Sequence, residues 1–312
     1  FRLAGTGITI PSTVSFALSG QGGNSAPNGS LVGSGSGVNA IRGNITLNTN
    51  GIRISNAGAT RLDLTGAITQ NYVSGATDGL LFRVADNEGI HLTNASNAWT
   101  VQTINSQGIL WAEPGALPAA SGLLLAGSGD GLFQTSGTFT RSVGNGAGQV
   151  QWAVTNSGRA GGFSARGGDL AVNLGGAGAD LQFNNFTAAS GGTPTSVNMN
   201  TLWLQGPQAD SKLTLANAVD INGAARTIRT DANVAELVGG LKNSSATAAV
   251  LTKTGNGTLL SSAGVTGGVA LTVNGGTLEV SGSGANTYTG AVNVNGGSLL
   301  VKRSDGLGTT AA

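Results

Sequence analysis

The residues best suited to chemistry lie in one short segment, DNEGIH, at positions 86–91. It holds two carboxylates, Asp86 and Glu88, and the only histidine of the chain, His91. Carboxylates and an imidazole that converge in a cleft can act as general acid and base. These three residues are therefore the candidates for an enzymatic site. The same segment also suits a turn followed by a strand, and we favour that interpretation because His91 lies between two aliphatic residues and would point outward.

Aromatic side chains offer a second kind of site. The chain has four tryptophans, and tryptophan favours half-buried positions that face a partner. Trp111 stands out because Glu113 and two prolines follow it in a stretch that breaks the surrounding pattern, residues 107–125. Trp111 and Glu113 are therefore the candidates for contact with a glycan or another partner.

Other chemistries find little support in the sequence. Cysteine is absent, which excludes disulfides and thiolate metal sites. The stretch GSGDGL at 127–132 occurs once, whereas calcium-binding repeats need consecutive copies. No glycine-rich loop is followed by Gly-Lys-Ser/Thr, so no phosphate loop is expected. We predict no catalytic residue, no metal site and no cofactor.

Composition narrows the class of protein. Of 312 residues only 9% are charged and 54 are glycine, far from the roughly 25% and about 7% of average proteins. So much glycine disfavours long helices. The net charge is +1 without a basic cluster, so nucleic acid is not expected as a partner. No apolar run approaches the roughly 20 residues of a membrane span, so no membrane insertion is expected in this segment.

The elements that would position these residues are short strands. Apolar–polar–apolar triplets recur along the chain, the alternation typical of a strand with one buried face. Examples are Ile45-Thr46-Leu47, Leu62-Asp63-Leu64, Ile90-His91-Leu92 and Leu213-Thr214-Leu215. Asn-Gly, Asp-Gly and Gly-Gly separate them and supply the positive φ of tight turns. An antiparallel sandwich or barrel and a parallel solenoid both fit such a pattern.

An internal repeat favours the solenoid. Residues 273–278, VNGGTL, return as VNGGSL at 294–299. A repeat of about 20 residues is typical of a solenoid in which each turn contributes two or three short strands. We therefore predict a right-handed parallel β-helix with about 20 residues per rung. It would form one continuous domain over 1–312, with irregular rungs in 1–245, an excursion near 107–125, and regular rungs in 246–312.

The regular part carries a family resemblance. LTKTGNGTL at 251–259, NTYTG at 286–290, GSL at 297–299 and LG at 307–308 together resemble the autotransporter-associated β-strand repeat. The likeness covers about 60 residues and departs from the family pattern between 261 and 284, where about one additional rung is inserted. The resemblance implies a passenger-type β-helix displayed outside a bacterial cell. That family is defined by architecture, so no catalytic residue is carried over.

These observations predict a non-catalytic, extracellular structural or adhesive rod of a bacterial surface or secreted protein. Self-association, end to end or side by side into fibres, and binding of a surface glycan or a host or neighbour-cell ligand are expected. The alternative is a β-helix protein that binds or degrades polysaccharide.

Overall fold

The computed structural model describes residues 1–22, 29–58, 60–75, 79–84, 88–152, 158–176, 179–183 and 200–309. All regular secondary structure in these ranges is β-strand, so the predicted all-β class is confirmed. Within the same ranges no helix is long and apolar enough to cross a membrane.

The chain divides into two compact units. The first consists of Phe1–Thr135, Gly144–Asn156 and Ala188–Thr193. The second consists of Ser136–Val143, Ser157–Thr187 and Pro194–Ala312. The predicted change of regularity near residue 245 stays a prediction.

Among the described residues, fifteen strands begin in the first unit. They are β1 (Arg2–Ala4), β2 (Thr9–Ile10), β3 (Phe16–Leu18), β4 (Leu31–Ser34), β5 (Val38–Ile41), β6 (Ile45–Leu47), β7 (Arg53–Asn56), β8 (Arg61–Leu64), β9 (Ile68–Gln70), β10 (Gly79–Val84), β11 (Ile90–Leu92), β12 (Gln102–Ala112), β13 (Leu123–Leu125), β14 (Gly131–Arg141) and β15 (Val150–Trp152).

The remaining strands lie in the second unit. They are β16 (Ala160–Leu174), β17 (Asp180–Gln182), β18 (Thr201–Leu204), β19 (Leu213–Leu215), β20 (Ala218–Asp220), β21 (Arg226–Arg229), β22 (Val234–Leu237), β23 (Leu241–Lys242), β24 (Ala249–Thr254), β25 (Thr258–Ser261), β26 (Val265–Thr266), β27 (Val269–Val280) and β28 (Val292–Val301).

Parallel pairing organises both units. In the first, β8 lies between β5 and β11, and β6 lies between β3 and β9. In the second, β27 pairs with β24 and β25 on one side and with β28 on the other. Most inward positions are apolar and almost fully buried, as in Leu62 and Leu64 of β8 and Phe82 of β10. The cores therefore consist of apolar residues that pack on apolar residues of the neighbouring strand.

The predicted fold class is wrong. The structure contains a closed parallel barrel of eight strands with extra strands outside it, instead of a right-handed β-helix. The prediction of a solenoid over 1–312 is therefore wrong as well. The spacing also varies, since Arg2 pairs with Val32, 30 positions later, and Thr258 with Thr277, 19 positions later. Alternating short strands in parallel register suit either architecture, so the repeat did not distinguish them.

The predicted excursion near 107–125 is only partly a loop. Residues 107–112 complete the long strand β12, and Leu123–Leu125 forms β13. The connection between these strands, residues 113–122, holds both prolines of the stretch. Because residues 107–112 pair with β11 and β14, Trp111 belongs to a sheet.

The corner after β24 depends on close approach of two backbones. Gly255 has φ of +79°, a left-handed conformation that side chains other than glycine disfavour. A Cβ atom at Gly255 would lie 2.3 Å from the carbonyl oxygen of Thr230, which belongs to the neighbouring turn. Only glycine meets both requirements.

A buried lysine stabilises the same corner. Lys253 is 0% exposed, and its Nζ donates hydrogen bonds to the carbonyl oxygens of Thr254 (2.9 Å), Gly255 (2.7 Å) and Gly275 (3.0 Å). Gly275 lies in β27, so the ammonium joins two successive turns. Burial lowers the pKa of Lys253 to about 8, while the charge of Asp231 opposes that shift. The ammonium supplies donors to three carbonyl oxygens that converge at this corner.

We expect Gly255→Ala to destabilise the second unit more than Gly137→Ala. Gly137 is a matched control, because its φ is +77° but no atom lies within 4 Å of an added Cβ. Left-handed strain alone should lower the free energy of unfolding by about 1–2 kcal/mol in Gly137→Ala. The clash with Thr230 should add roughly 1–3 kcal/mol in Gly255→Ala. Guanidinium unfolding of both variants measures the difference, and equal losses would contradict the close approach.

Candidate functional site

Three adjacent strands of the first unit place one polar residue each in a single column. The parallel register pairs Asp63 of β8 with His91 of β11, and His91 with Trp111 of β12. Residues at paired positions of parallel strands point to the same side of a sheet. The flanking residues, Leu62, Leu64 and their partners, point to the core, so this column lies on the opposite face.

His91 connects two carboxylates. Its Nε2 lies 2.9 Å from Oε1 of Glu113, and its Nδ1 lies 3.4 Å from Oδ1 of Asp63. The imidazole is only 7% exposed although it faces away from the core, because its neighbours in the column cover it. The His91 imidazole can reach Glu113 because Glu113 follows β12 directly, two positions after Trp111.

Arg61 extends the network along β8. Its guanidinium binds Asp63 through two hydrogen bonds, Nε to Oδ1 at 2.6 Å and Nη2 to Oδ2 at 3.2 Å. Its Nη1 donates to Oε2 of Glu88 at 3.2 Å. Such two-point pairing fixes the carboxylate more firmly than a single hydrogen bond would. We call Arg61, Asp63, Glu88, His91, Trp111 and Glu113 the Asp63 cluster.

The pKa of Asp63 is lowered. Burial acts in the opposite direction and by itself would raise the pKa of this carboxyl, but the contact with His91 and the hydrogen bonds and charge of Arg61 outweigh it. The same pairing raises the pKa of Arg61. Asp63 is therefore an ionised carboxylate at neutral pH, which the folded state stabilises.

Trp111 contributes its ring to this network. The ring centroids of His91 and Trp111 are 3.5 Å apart with an interplanar angle of 8°, so the rings stack face to face. The Arg61 guanidinium carbon lies 5.4 Å from the Trp111 ring centroid, within the range of a cation–π contact. Trp111 is half-buried, and the face that meets His91 is closed to any ligand.

The structure brings four of the five sequence candidates into one place. Glu88 and His91, expected for acid–base chemistry, meet Trp111 and Glu113, expected for partner contact. Asp86 lies outside the described residues. Sequence reasoning missed Arg61 and named Asp63 only as the polar residue of a strand triplet. Their alternation in RLDL places both on one face, but the register that adds His91 depends on three separate strands.

The charged groups of the cluster pair with one another, and its three carboxylates outnumber its one guanidinium. His91, the one imidazole, has a carboxylate near each ring nitrogen and a tryptophan on its face. General acid–base catalysis would need that imidazole to reach a substrate proton, at hydrogen-bond distance. Among the described residues no group of three or more His, Cys, Asp or Glu is arranged to hold a metal ion. The arrangement is suited to holding the three strands β8, β11 and β12 together.

A groove lies beside the connection from 113 to 122. Its volume is about 570 Å³, and Gln70, Tyr72, Asn97, Trp99, Thr100 and Pro118 are among its lining residues. The lining is neutral, a mixture of aromatic rings, amides, a hydroxyl and small apolar side chains. Trp99 forms the buried floor, and its Nε1 donates to Thr103 at 2.9 Å and Ser121 at 3.1 Å.

Comparison with known proteins gives no relative. No protein-family model, no curated protein and no solved structure matches the chain. The resemblance to the autotransporter-associated β-strand repeat stays a prediction that rests on residues 251–308.

We expect Asp63→Asn to lower the free energy of unfolding by about 1.5–3 kcal/mol at pH 7, because it removes a charged acceptor from Arg61 and His91. The folded-state pKa of Asp63 lies below the ordinary value of 3.8. The stabilisation is therefore complete above pH 3.8 and is lost as pH falls through the lowered value. Guanidinium unfolding between pH 7 and pH 2.5 should show the two proteins converging at low pH.

Asp180→Asn is the matched control. Asp180 forms an ion pair with Lys242 in which both side chains are well exposed, and such pairs contribute about 0–1 kcal/mol. Its profile should run close to that of the wild type. A constant gap between wild type and Asp63→Asn down to pH 2.5 would show that the carboxylate charge is not what stabilises the cluster.

Proposed function

We propose that the protein is a non-catalytic structural and adhesive module that a bacterium displays outside its cell. The observation that carries the proposal is the internal pairing of the Asp63 cluster. The residues with the greatest potential for chemistry pair with one another, and the imidazole retains only 7% exposure. An imidazole that acts as general acid or base would have to reach a substrate proton.

The residues that carry the repeat resemblance support the same proposal, because their side chains form hydrogen bonds with backbone groups. Tyr288 is completely buried, and its hydroxyl donates to the carbonyl oxygen of Gly306 at 3.1 Å. The side-chain oxygen of Asn286 accepts a hydrogen bond from the amide of Val265 at 2.9 Å. Lys253 binds three carbonyl oxygens in the same manner. The residues that define the motif thus determine shape, as expected of a structural repeat.

Carbohydrate binding without turnover is a second candidate. The groove beside residues 113–122 favours it, since an aromatic ring among amides and hydroxyls is a common lining for neutral sugars. The location agrees with the stretch singled out in the sequence, but the aromatic residues at the groove are Tyr72 and Trp99 in place of Trp111.

We expect the wild-type chain to release no reducing ends and no unsaturated uronates from pectate, alginate, xylan or cellulose. The double variant His91→Ala, Glu113→Gln should give the same background, because these side chains stabilise the sheet and touch no substrate. Product release by the wild type that the variant lacks would identify the Asp63 cluster as a catalytic site and overturn the proposal.

If the groove binds glycans, calorimetry with neutral oligosaccharides should show binding that Tyr72→Ala weakens by about tenfold or more, the loss expected for one stacking aromatic. Val73→Ala is the matched control, because Val73 is adjacent, 97% exposed and not part of the lining. Equal affinity of the two variants would show that the groove is not the binding site.

A further inference from the structure

The dipeptide Asn-Gly occurs repeatedly along the chain, at positions 28–29, 50–51, 145–146, 222–223, 256–257, 274–275 and 295–296. In this dipeptide the asparagine side chain is open to attack by the next backbone nitrogen, because glycine has no Cβ to obstruct the approach. Asn28 lies outside the described residues. The structure places the other pairs in different surroundings, so it predicts that they differ in reactivity.

The reaction needs only water as a reagent. The backbone nitrogen of glycine loses its proton and attacks Cγ of asparagine, which closes a five-membered succinimide ring. The side-chain nitrogen takes up a proton and leaves as ammonia. Water then opens the ring at one of its two carbonyl carbons and gives aspartate or isoaspartate. A hydrogen bond from the glycine N–H opposes the first step, since it must break before the nitrogen can attack.

Most of the described pairs are protected. In three of them the glycine amide donates to an acceptor at 2.7–2.9 Å: Gly146 to Oε1 of Gln149, Gly223 to Oδ1 of Asn243, and Gly257 to the carbonyl oxygen of Thr230. Two further pairs, at 274–275 and 295–296, lie inside β27 and β28. Paired strands hold the backbone extended, whereas ring closure requires the backbone to turn.

Asn50–Gly51 lacks both kinds of protection. The pair lies in the bend between β6 and β7, outside any strand. Within the described part of the chain, the Gly51 amide donates no hydrogen bond to another residue. Asn50 is exposed, so water reaches its side chain. Of the pairs that the structure describes, this one alone combines an unbound glycine amide with a bend.

We propose that Asn50–Gly51 is a site of spontaneous modification in the folded protein, at which Asn50 becomes aspartate or isoaspartate. Either product adds an ionised carboxylate to residues 43–52, GNITLNTNGI, which carry no charge. Isoaspartate also routes the main chain through its side chain, which lengthens the connection between β6 and β7 by one atom. The inference is independent of the proposed function, since it involves neither the Asp63 cluster nor the groove.

Peptide mapping can measure the reaction at two pairs within one sample. Trypsin should release Asn50–Gly51 in residues 43–53 and the matched control, Asn222–Gly223, in residues 213–226. The folded chain is incubated in mildly alkaline buffer and digested, and chromatography with mass spectrometry separates the asparaginyl, aspartyl and isoaspartyl forms of each peptide. Asn50 should react about fivefold or more faster than Asn222, because only the Gly223 amide must first break a hydrogen bond.

Gln149→Ala tests the cause at a third pair. This change removes the acceptor of the Gly146 amide, in the connection between β14 and β15, and should raise the rate at Asn145 toward that at Asn50. The rates at Asn50 and Asn222 should stay as in the wild type, which also shows that the variant is folded. In guanidinium all three pairs should react at similar rates, because the unfolded chain lacks these hydrogen bonds.

Equal rates at Asn50 and Asn222 in the folded chain would overturn the proposal. An Asn50 that reacts only in guanidinium would do the same, because the fold would then protect it. A rate at Asn145 that Gln149→Ala leaves unchanged would show that the hydrogen bond of the glycine amide does not separate the pairs, and would remove the physical basis of the proposal.

Discussion

Parallel pairing of strands in register governs the other features of this fold. It places each side chain beside the residue at the equivalent position of the next strand, about 4.8 Å away. Aliphatic residues then pack on aliphatic residues, as Val273 does on Val294, and amides bond amides, as Asn295 does to Asn274. Corners must also stack, which leaves no room for a Cβ at Gly255. Where carbonyl oxygens of successive corners converge, Lys253 supplies the donors.

The same constraint explains the Asp63 cluster. Strand pairing alone aligns Asp63, His91 and Trp111, and it brings their side chains so close that they must be compatible. A carboxylate, an imidazole and an indole satisfy this demand through a 3.4 Å contact between Asp63 and His91 and a stacked ring contact. Arg61 pairs with Asp63 at one end of the column, and Glu113 with His91 at the other. The low pKa of Asp63 follows from this placement and needs no catalytic purpose.

Much of the local structure could be predicted from the sequence. The triplets at 45–47, 90–92 and 213–215 are strands with the predicted bounds, because alternation along one strand is a local property. The architecture could not be predicted. The right-handed β-helix was inferred from a repeat in residues 273–299, and a repeat of parallel strands does not state how the sheet closes. The candidate site was predicted in part, since Glu88 and His91 were grouped by sequence, whereas their contacts with Arg61 and Glu113 were not.

Local sequence is enough to specify the all-β class, the glycine corners and the pairing of β27 with β28, because each depends on residues that are close in the chain or repeat one another. The stacking of Trp111 on His91 and the addition of Asp63 to that column emerge only in the folded chain. Paired strands lie 19 to 43 positions apart, and their register is set by the packing of the whole core, of which a single strand carries no record.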